Sequence, residues 1–394
     1  MPSVSKPSWR ILVALLVYNG EEFVGPCLSS LARMDAGPHT TDVLVLDDAS
    51  PNPGWSERCR DMTTDLGFGY YRTPRNLGIP RNMNLGMLRA VDAGYDAVIL
   101  LNSDTILPAN LIPTLMRPLV EDDSVSSATA WSNNASVYSI PNSDPDHLAE
   151  HPEIIDWISE LMDEEFDGQA IPVPSGVGFC MAIPTRVIKD VGLMDPVFGR
   201  GYSEEIDWCL RSHTMGYKSI LAPSCFVYHA GSGITKVEGL VGDGDHTVAA
   251  HQAIIDQRYP LYISQLIALP ASSILDGMRE RGLQRIIISA ARERGYRLEA
   301  SRLNQNADER DVVRFRIDPE GDTLTISAAF EGFEAQFAVG EGGALPTVQS
   351  IVGQPPAEIR IFDRGRASKE LEAEAARSGA TPVLNRAPYR ERVF

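Results

Sequence analysis

Ala97-Val98-Ile99-Leu100-Leu101-Asn102-Ser103-Asp104 is the stretch on which the fold turns. Its five apolar residues have strand length, and the polar triplet behind them turns the chain at the strand's carboxyl end. Upstream, residues 11–17 form another apolar run, followed over 22–34 by Phe23, Cys27, Leu28 and Leu31 at helical spacing. Residues 41–46 predict a further strand that ends in Asp47 and Asp48, and 84–93 predict a helix leading into the quoted strand. Strands alternating with helices imply an α/β fold in which a mostly parallel sheet is covered by helices on both faces. In such sheets ligands lie beyond the carboxyl ends of the strands, which singles out Tyr18, Asp47, Asp48 and Asp104.

With 394 residues, 43% of them hydrophobic, the chain exceeds one ordinary domain. We expect a large domain over 1–260 and a smaller α+β region over 261–394 that begins as a helix (264–282) and continues with strands at 312–317, 323–328 and 335–339. Residues 358–362, 368–378 and 381–384 then predict strand, helix and strand. The stretch 122–168 is acidic and rich in Asn, Ser and Pro; it reads as loops with a short helix at 154–162, bordering an acceptor. No chemistry-bearing motif marks the tail, for which we expect self-association.

Charge and cysteine usage narrow the partners. Thirty-five basic against 53 acidic residues leave a net charge of −18, which repels phosphate backbones, so nucleic acid is not expected. The five cysteines, Cys27, Cys59, Cys180, Cys209 and Cys225, contain no C-x-x-C pair and suggest neither a disulfide framework nor a zinc site, as suits a reducing cytoplasm. Residues 11–17 are too short for a signal peptide and run into Tyr18-Asn19-Gly20-Glu21-Glu22. No run approaches the roughly 20 apolar residues of a membrane span.

Three groups of residues have the chemistry of a site. Asp104, with Asn102 and Ser103 before it, offers an oxygen ligand to a hard cation such as manganese or magnesium, which is commonly shared with a diphosphate. Taken alone it fits an ordinary strand-to-loop turn better. His229 closes the apolar run 225–228 and precedes Ala230-Gly231-Ser232-Gly233; only its pairing with Asp104 lifts it above a structural histidine. Glu204, Glu205 and Asp207 follow Phe198-Gly199-Arg200-Gly201-Tyr202 and open an apolar helix. Crowded carboxylates raise one another's proton affinity and prepare one to accept a proton, although acids at a helix start also complement its dipole. Asp47 and Asp48 could accept from a base N–H or a ribose hydroxyl. The loop over 75–82 adds Arg75 and Arg81, which could face a diphosphate.

In order along the chain, Val17-Tyr18-Asn19, Asp47-Asp48-Ala49-Ser50, Asn76-x-Gly78 with Asn84-x-Gly86, and Leu101-Asn102-Ser103-Asp104-Thr105 resemble the nucleotide half of the inverting family 2 glycosyltransferases, which share the GT-A fold. Gly176-x-Gly178-Phe179-Cys180, the run from Phe198 to Arg211, and Val227-Tyr228-His229-Ala230-Gly231 resemble the acceptor half. Similarity covers about 9–260.

The resemblance implies transfer of a sugar from a nucleotide-diphosphate donor to a hydroxyl of a glycan, a lipid-linked acceptor or a small molecule, with a Mn or Mg ion. It places Tyr18, Asn19, Asp47, Asp48, Asn76, Gly78, Arg81, Asn102 and Ser103 at the donor and Gly176, Gly178 and Tyr202 at the acceptor. Asp104 and His229 stand at the metal and Glu205 at the base position, with Glu204 or Asp207 as alternatives. The branch it is similar to makes bacterial O-antigens and other surface polysaccharides, including by rhamnosyl transfer, which implies work in the cytoplasm or at the inner membrane. Two positions depart from the pattern: Asn102 replaces the first acid of Asp-x-Asp, and Glu205 stands where Asp is frequent.

Two rivals share this kind of sheet. A sugar-nucleotide pyrophosphorylase needs a Gly-rich, Arg-bearing loop after the first strand, where this chain has Tyr18-Asn19-Gly20-Glu21-Glu22. A non-catalytic carbohydrate- or nucleotide-binding protein would have no need of Asp104, His229 and the acid cluster together. A dehydrogenase would need G-x-G-x-x-G after that strand, and none is there.

Overall fold

In the computed structural model, residues 8–141, 146–231, 247–271, 273–300, 311–320, 323–362 and 365–384 are described. The chain divides into two compact units, the first running to Leu275 and the second from Asp276 onward.

The first unit opens with β1 (Arg10–Val17), α1 (Glu21–Ala32), β2 (Thr40–Asp47), α2 (Trp55–Asp65), β3 (Gly69–Arg72) and α3 (Ile79–Asp92). There follow β4 (Ala97–Asn102), β5 (Thr105–Ile106), α4 (Leu111–Glu121), β6 (Val125–Ser132), α5 (Pro152–Phe166), β7 (Ile171–Val173) and β8 (Cys180–Pro184). The unit closes with α6 (Thr185–Val191), α7 (Glu204–Thr214), β9 (Lys218–His229), α8 (Thr247–Arg258) and α9 (Tyr262–Ala271).

The strands form one sheet in the order β3-β2-β1-β4-β8-β6-β9-β5, with β7 also paired to β9. β1 runs parallel to β2 and β4, and β6 parallel to β9, while β8 is antiparallel to both β4 and β6. The carboxyl ends of β1, β2, β3, β4, β6 and β9 therefore share one edge, and the chain order reverses between β1 and β4, where such sheets bind ligands. Leu12, Ala14 and Leu16 of β1 pack into a core with Met83 and Met87 of α3, Ile188 of α6 and Trp208 of α7. Ile11, Val13 and Leu15 on the opposite face are fully buried too, as a strand covered on both sides requires.

The expected α/β sheet is present, but the stretch over 122–168 is not mainly loop. It contains β6, a strand buried at every position, and α5 is a full helix of 15 residues. β6 reads as loop because it is VSSATAWS, and its small polar residues lie inside only because each hydroxyl finds a partner. Ser126 accepts from Ser212 at 2.9 Å, Ser127 donates to Ser219 at 3.0 Å, and Thr129 donates to the Val177 carbonyl at 3.2 Å. α3 starts at Ile79 rather than residue 84, since Pro80 suits a helix's first turn.

α10 (Ile274–Arg294) leads into the second unit, which contains β10 (Tyr296–Ala300), β11 (Val313–Glu320), β12 (Thr323–Phe330), β13 (Phe333–Ala338), α11 (Ala344–Val352), β14 (Glu358–Ile361), α12 (Arg366–Ser378) and β15 (Val383–Leu384). Its sheet has the order β13-β12-β11-β10-β14-β15. Val313, Phe315 and Ile317 alternate with half-buried Arg314 and Arg316, so one face is core. Glu374 caps α11 by accepting from the Ala344 and Leu345 amides at 3.1 and 2.7 Å. β10 and α11 carry no signal distinctive enough to stand out in the sequence.

Candidate active site

At the shared strand edge β5 pairs with the end of β9, placing Thr105 opposite His229. His229 Nε2 lies 3.3 Å from Asp104 Oδ1. Its Nδ1 lies 2.7 Å from the Asn134 carbonyl oxygen. A carbonyl only accepts, so Nδ1 carries a proton, and in a neutral ring Nε2 turns its lone pair toward the carboxylate. Two electron-rich atoms facing one another need a proton or a cation between them. Adjacent ligands of an octahedral ion with bonds of ~2.1 Å stand about 3 Å apart, so the pair fits a divalent cation. The backbone supports this geometry: Asn133 and the His229 main chain exchange bonds of 2.8 and 3.0 Å, and Ala230 N–H donates to the Asp104 carbonyl at 2.9 Å. Among the described residues no group of three or more His, Cys, Asp or Glu could hold a metal. Asn102 in place of a carboxylate is consistent with that, and further ligands would come from donor oxygens and water. Ser232 and Gly233 lie outside the described residues.

The two aspartates after β2 are occupied by the chain's own donors. Asp47 is fully buried and accepts from Ser50 N–H (2.9 Å), Ser50 Oγ (2.6 Å), Ser56 Oγ (2.7 Å) and the Tyr70 hydroxyl (2.7 Å). Burial pushes its pKa up, but the hydrogen bonds from Ser50, Tyr70 and Ser56 outweigh that and hold it below the usual value. Asp48 accepts from the Leu77 and Gly78 amides (2.8 and 2.9 Å) and from Thr73 Oγ1 (3.1 Å), and burial leaves it above the usual range. A carboxylate has about four acceptor positions. Asp47's positions are thus taken up by Ser50, Ser56 and Tyr70, while Asp48, with three donors, holds the loop after β3.

Asp48 anchors the loop carrying Asn76, whose Oδ1 accepts from Gly78 N–H at 3.1 Å, and Gly78, at φ 81°. A Cβ on Gly78 would stand 2.1 Å from the Gly199 carbonyl oxygen, and one on Gly201 3.1 Å from Ile79. The two loops thus approach at backbone distance. Arg81 is exposed, Tyr18 is half-buried at the end of β1, and Asn19 (φ 55°) donates its N–H to Ser50 Oγ at 2.9 Å. Ser103 is buried, and Asn102 is tied through its N–H to the Phe179 carbonyl at 2.8 Å.

On the other side Tyr202 (φ 70°) and Ser203 (φ 77°) hold left-handed conformations just before α7, strain of about 1–3 kcal/mol each that surrounding structure must over-determine. Glu204 is 4% exposed and Glu205 half-buried, and neither Oε2 has a hydrogen-bond partner among the described residues. Burial, with Glu205's charge beside it, holds Glu204 well above the usual carboxylate range, and burial raises Glu205 as well. Asp207 differs: fully buried, it is bonded to Arg211 Nε (2.9 Å), Arg258 Nη1 (2.7 Å) and the Tyr259 hydroxyl (3.0 Å). That carboxylate is held by two guanidinium groups and a phenol, whereas Glu204 and Glu205 each keep an Oε2 with no partner among the described residues. Gly178 backs onto Glu205, a Cβ there standing 3.7 Å from Glu205 Cγ, and the next residue, Phe179, stacks on His229 at 4.9 Å between ring centroids. Gly176 donates its N–H to the buried Cys209 sulfur at 3.4 Å.

The sequence pattern of glycosyl transferase family 2 matches residues 12–192. No curated protein matches the chain. Solved structures to which it is similar include GalNAc-T7 with UDP, GalNAc and Mn2+, at 13% identity and TM-score 0.43, with 57% of this chain and 44% of that one covered. This chain thus spans less than half of that protein's length. A mannosyltransferase, PcManGT from Pyrobaculum calidifontis in complex with GDP-Man and Mn2+, is 16% identical with a TM-score of 0.42, covering 73% and 76% of the two chains. A mycobacterial protein is 15% identical with a TM-score of 0.39, covering 82% and 84%.

Several residues around this site escape sequence reasoning. Asn133 and Asn134 fix His229 and directly follow β6; once that strand is read as loop, the rule about carboxyl ends is never applied to them. His251, Arg258, Tyr259 and Tyr262 reach the site from α8, the turn after it and the start of α9, with no motif to mark them. All five cysteines are buried and free, and no helix among the described residues is long and apolar enough to cross a membrane.

Glu204 yields a stability prediction. Its folded pKa is raised, so the folded chain keeps a proton that the unfolded chain releases near pH 4.3. Between those two values each pH unit removes about 1.4 kcal/mol of stability as pH rises. Glu204→Gln cannot ionise, so its melting temperature should gain on that of the wild type from pH 5 to pH 8. Parallel melting curves across that range would mean that Glu204 is not buried beside a charge.

Proposed function

We propose that the chain transfers a sugar from a nucleoside-diphosphate donor to an acceptor hydroxyl in a single displacement that inverts the anomeric centre. The observation that carries this is the Gly178-Phe179 dipeptide, whose glycine lies against Glu205 while its phenylalanine lies against His229. A candidate base and a candidate cation site are thereby kept apart by two consecutive residues at one sheet edge.

In this reading Glu205, with an unbonded Oε2 and raised proton affinity, takes the acceptor's hydroxyl proton. The acceptor oxygen bonds to the anomeric carbon as the bond to the phosphate oxygen breaks, and the electron pair leaves with the nucleoside diphosphate. A Mn or Mg ion between Asp104 and His229 would supply positive charge to that leaving group. Tyr18, Asn19, Asn76, Arg81, Asn102 and Ser103 line the donor side. Asp47, Asp48 and Gly78 shape it from behind, and Gly176, Gly178 and Tyr202 border the acceptor. Rhamnosyl transfer in surface polysaccharide synthesis is the finer form of the proposal and rests on the sequence resemblance alone.

The test incubates the full chain with a panel of nucleoside-diphosphate sugars, Mn2+ and glycan or lipid-linked acceptors, following nucleoside diphosphate release and the anomeric configuration of the product. Release of nucleoside diphosphate with inversion is expected. Pyrophosphate release from a nucleoside triphosphate plus sugar phosphate, with no transfer from any donor, would replace this reading by the pyrophosphorylase one.

A further inference from the structure

The loop that presents Glu205 is poorly suited to hold itself. Gly199, Gly201, Tyr202 and Ser203 all have positive φ, at 48°, 126°, 70° and 77°, so four of five consecutive residues sit in the region that disfavours side chains. Two of them are not glycine. Such a segment keeps its shape only if neighbouring structure imposes it.

We infer that α8 and the turn behind it are a brace that sets the position of Glu205, with Arg258 as its principal positioning residue. The inference rests on the base role proposed above for Glu205 and adds residues that lie outside the family match at 12–192. One guanidinium nitrogen, Arg258 Nη1, bonds Asp207 Oδ1 at 2.7 Å and Asp195 Oδ2 at 2.9 Å. It so ties the first turn of α7 to the chain entering the strained loop. The Tyr259 hydroxyl adds a bond of 3.0 Å to Asp207 Oδ1, and Arg211 holds the other oxygen while donating to the Val191 and Leu193 carbonyls at 2.8 and 2.7 Å. Two turns earlier on α8, His251 donates from Nδ1 to the Gly201 carbonyl at 2.9 Å and sets its ring edge-on to Phe198 at 5.4 Å. The Tyr262 hydroxyl pairs with Ser175 Oγ at 2.9 Å, just ahead of Gly176 and Gly178. Both ends of the strained loop and the strand entry that backs Glu205 are thus tied to one stretch, residues 251–262.

Arg258 touches no reacting atom in this scheme; it acts through Asp207. Replacing it leaves a fully buried carboxylate with fewer donors, and α7's first turn becomes free to shift. A misplacement of about 1 Å at a reacting group can cost ~100-fold in rate.

The test measures Arg258→Gln and Arg258→Lys in the full chain, with Arg117→Gln as a control far along the chain. We expect Arg258→Gln to lower kcat at least 30-fold with donor KM within threefold. Arg258→Lys, whose ammonium can still meet both carboxylates, should recover most of the loss. Hydrogen exchange in the peptide covering 199–207 should speed up at least tenfold in Arg258→Gln and stay unchanged in Arg117→Gln. Unchanged exchange and unchanged kcat in Arg258→Gln would overturn the brace while leaving the proposed transfer intact. If the wild type transfers no sugar, the proposed function fails instead, and the exchange experiment alone decides whether the brace exists.

Discussion

Glu205→Gln is expected to reduce kcat by about 10³-fold or more while nucleoside-diphosphate binding stays within a few-fold. Positioned general bases contribute ~10²–10⁴-fold, and an amide of nearly the same shape removes the proton acceptor without emptying the space against Gly178. α7 should persist in this variant, since its start is held through Asp207 by Arg211, Arg258 and Tyr259. The pH profile supplies an independent check. A base works deprotonated, so kcat must fall as pH drops through its pKa. Because burial raises that pKa, the acid limb should lie above the ~4.3 of an exposed glutamate. Single-turnover transfer and equilibrium titration of nucleoside diphosphate separate the two effects. Activity within tenfold of wild type in Glu205→Gln would pass the role to Glu204, the other acid whose Oε2 has no partner among the described residues.

How far these roles could be read in advance depended on whether a residue's task is local. Asp104 and His229 each end an apolar run, and the parallel-sheet rule sends such residues to the same edge. Their 3.3 Å approach follows from β5 pairing with β9. Residues 97–101 and 11–17 were legible because a strand covered on both faces must be apolar throughout. β6 was illegible for the complementary reason: its hydroxyls are satisfied by Ser212, Ser219 and the Val177 carbonyl, all more than forty positions away, and no local pattern records such partners. Asp47 and Asp48 show the same limit in reverse. Their place after a strand was plain, but only the fold reveals that Ser50, Ser56 and Tyr70 donate to Asp47, and Thr73 and the amides of residues 77 and 78 to Asp48. Spacing also left Glu204, Glu205 and Asp207 equivalent, and it took Arg258, fifty-one positions on, to separate Asp207 from the others.

Asp104→Asn should lower kcat/KM by about 10³-fold and abolish the Mn2+ dependence of nucleoside-diphosphate binding. The Asn134 carbonyl oxygen, 2.7 Å from His229 Nδ1, fixes which ring nitrogen bears the proton. The other nitrogen then faces Asp104 Oδ1 at 3.3 Å, a contact favourable only with a cation or a proton in between. Removing the carboxylate charge leaves a single imidazole, and several kcal/mol of charge stabilisation at the departing diphosphate go with it, ~1.4 kcal/mol for each tenfold in rate. His229→Ala should follow the same course. Asn133→Ala, which removes the two bonds to the His229 backbone, should weaken Mn2+ binding by about 10-fold, as the loss of a group that orients a ligand does. Calorimetric titration of Mn2+ with nucleoside diphosphate present, in wild type and the three variants, reads all of this without turnover. The alternative is a protonated His229 forming an ion pair with Asp104, the leaving group being neutralised by Arg75 and Arg81. It predicts full activity in a strong chelator and a fall in activity above the histidine pKa, and either result would remove the cation from the site.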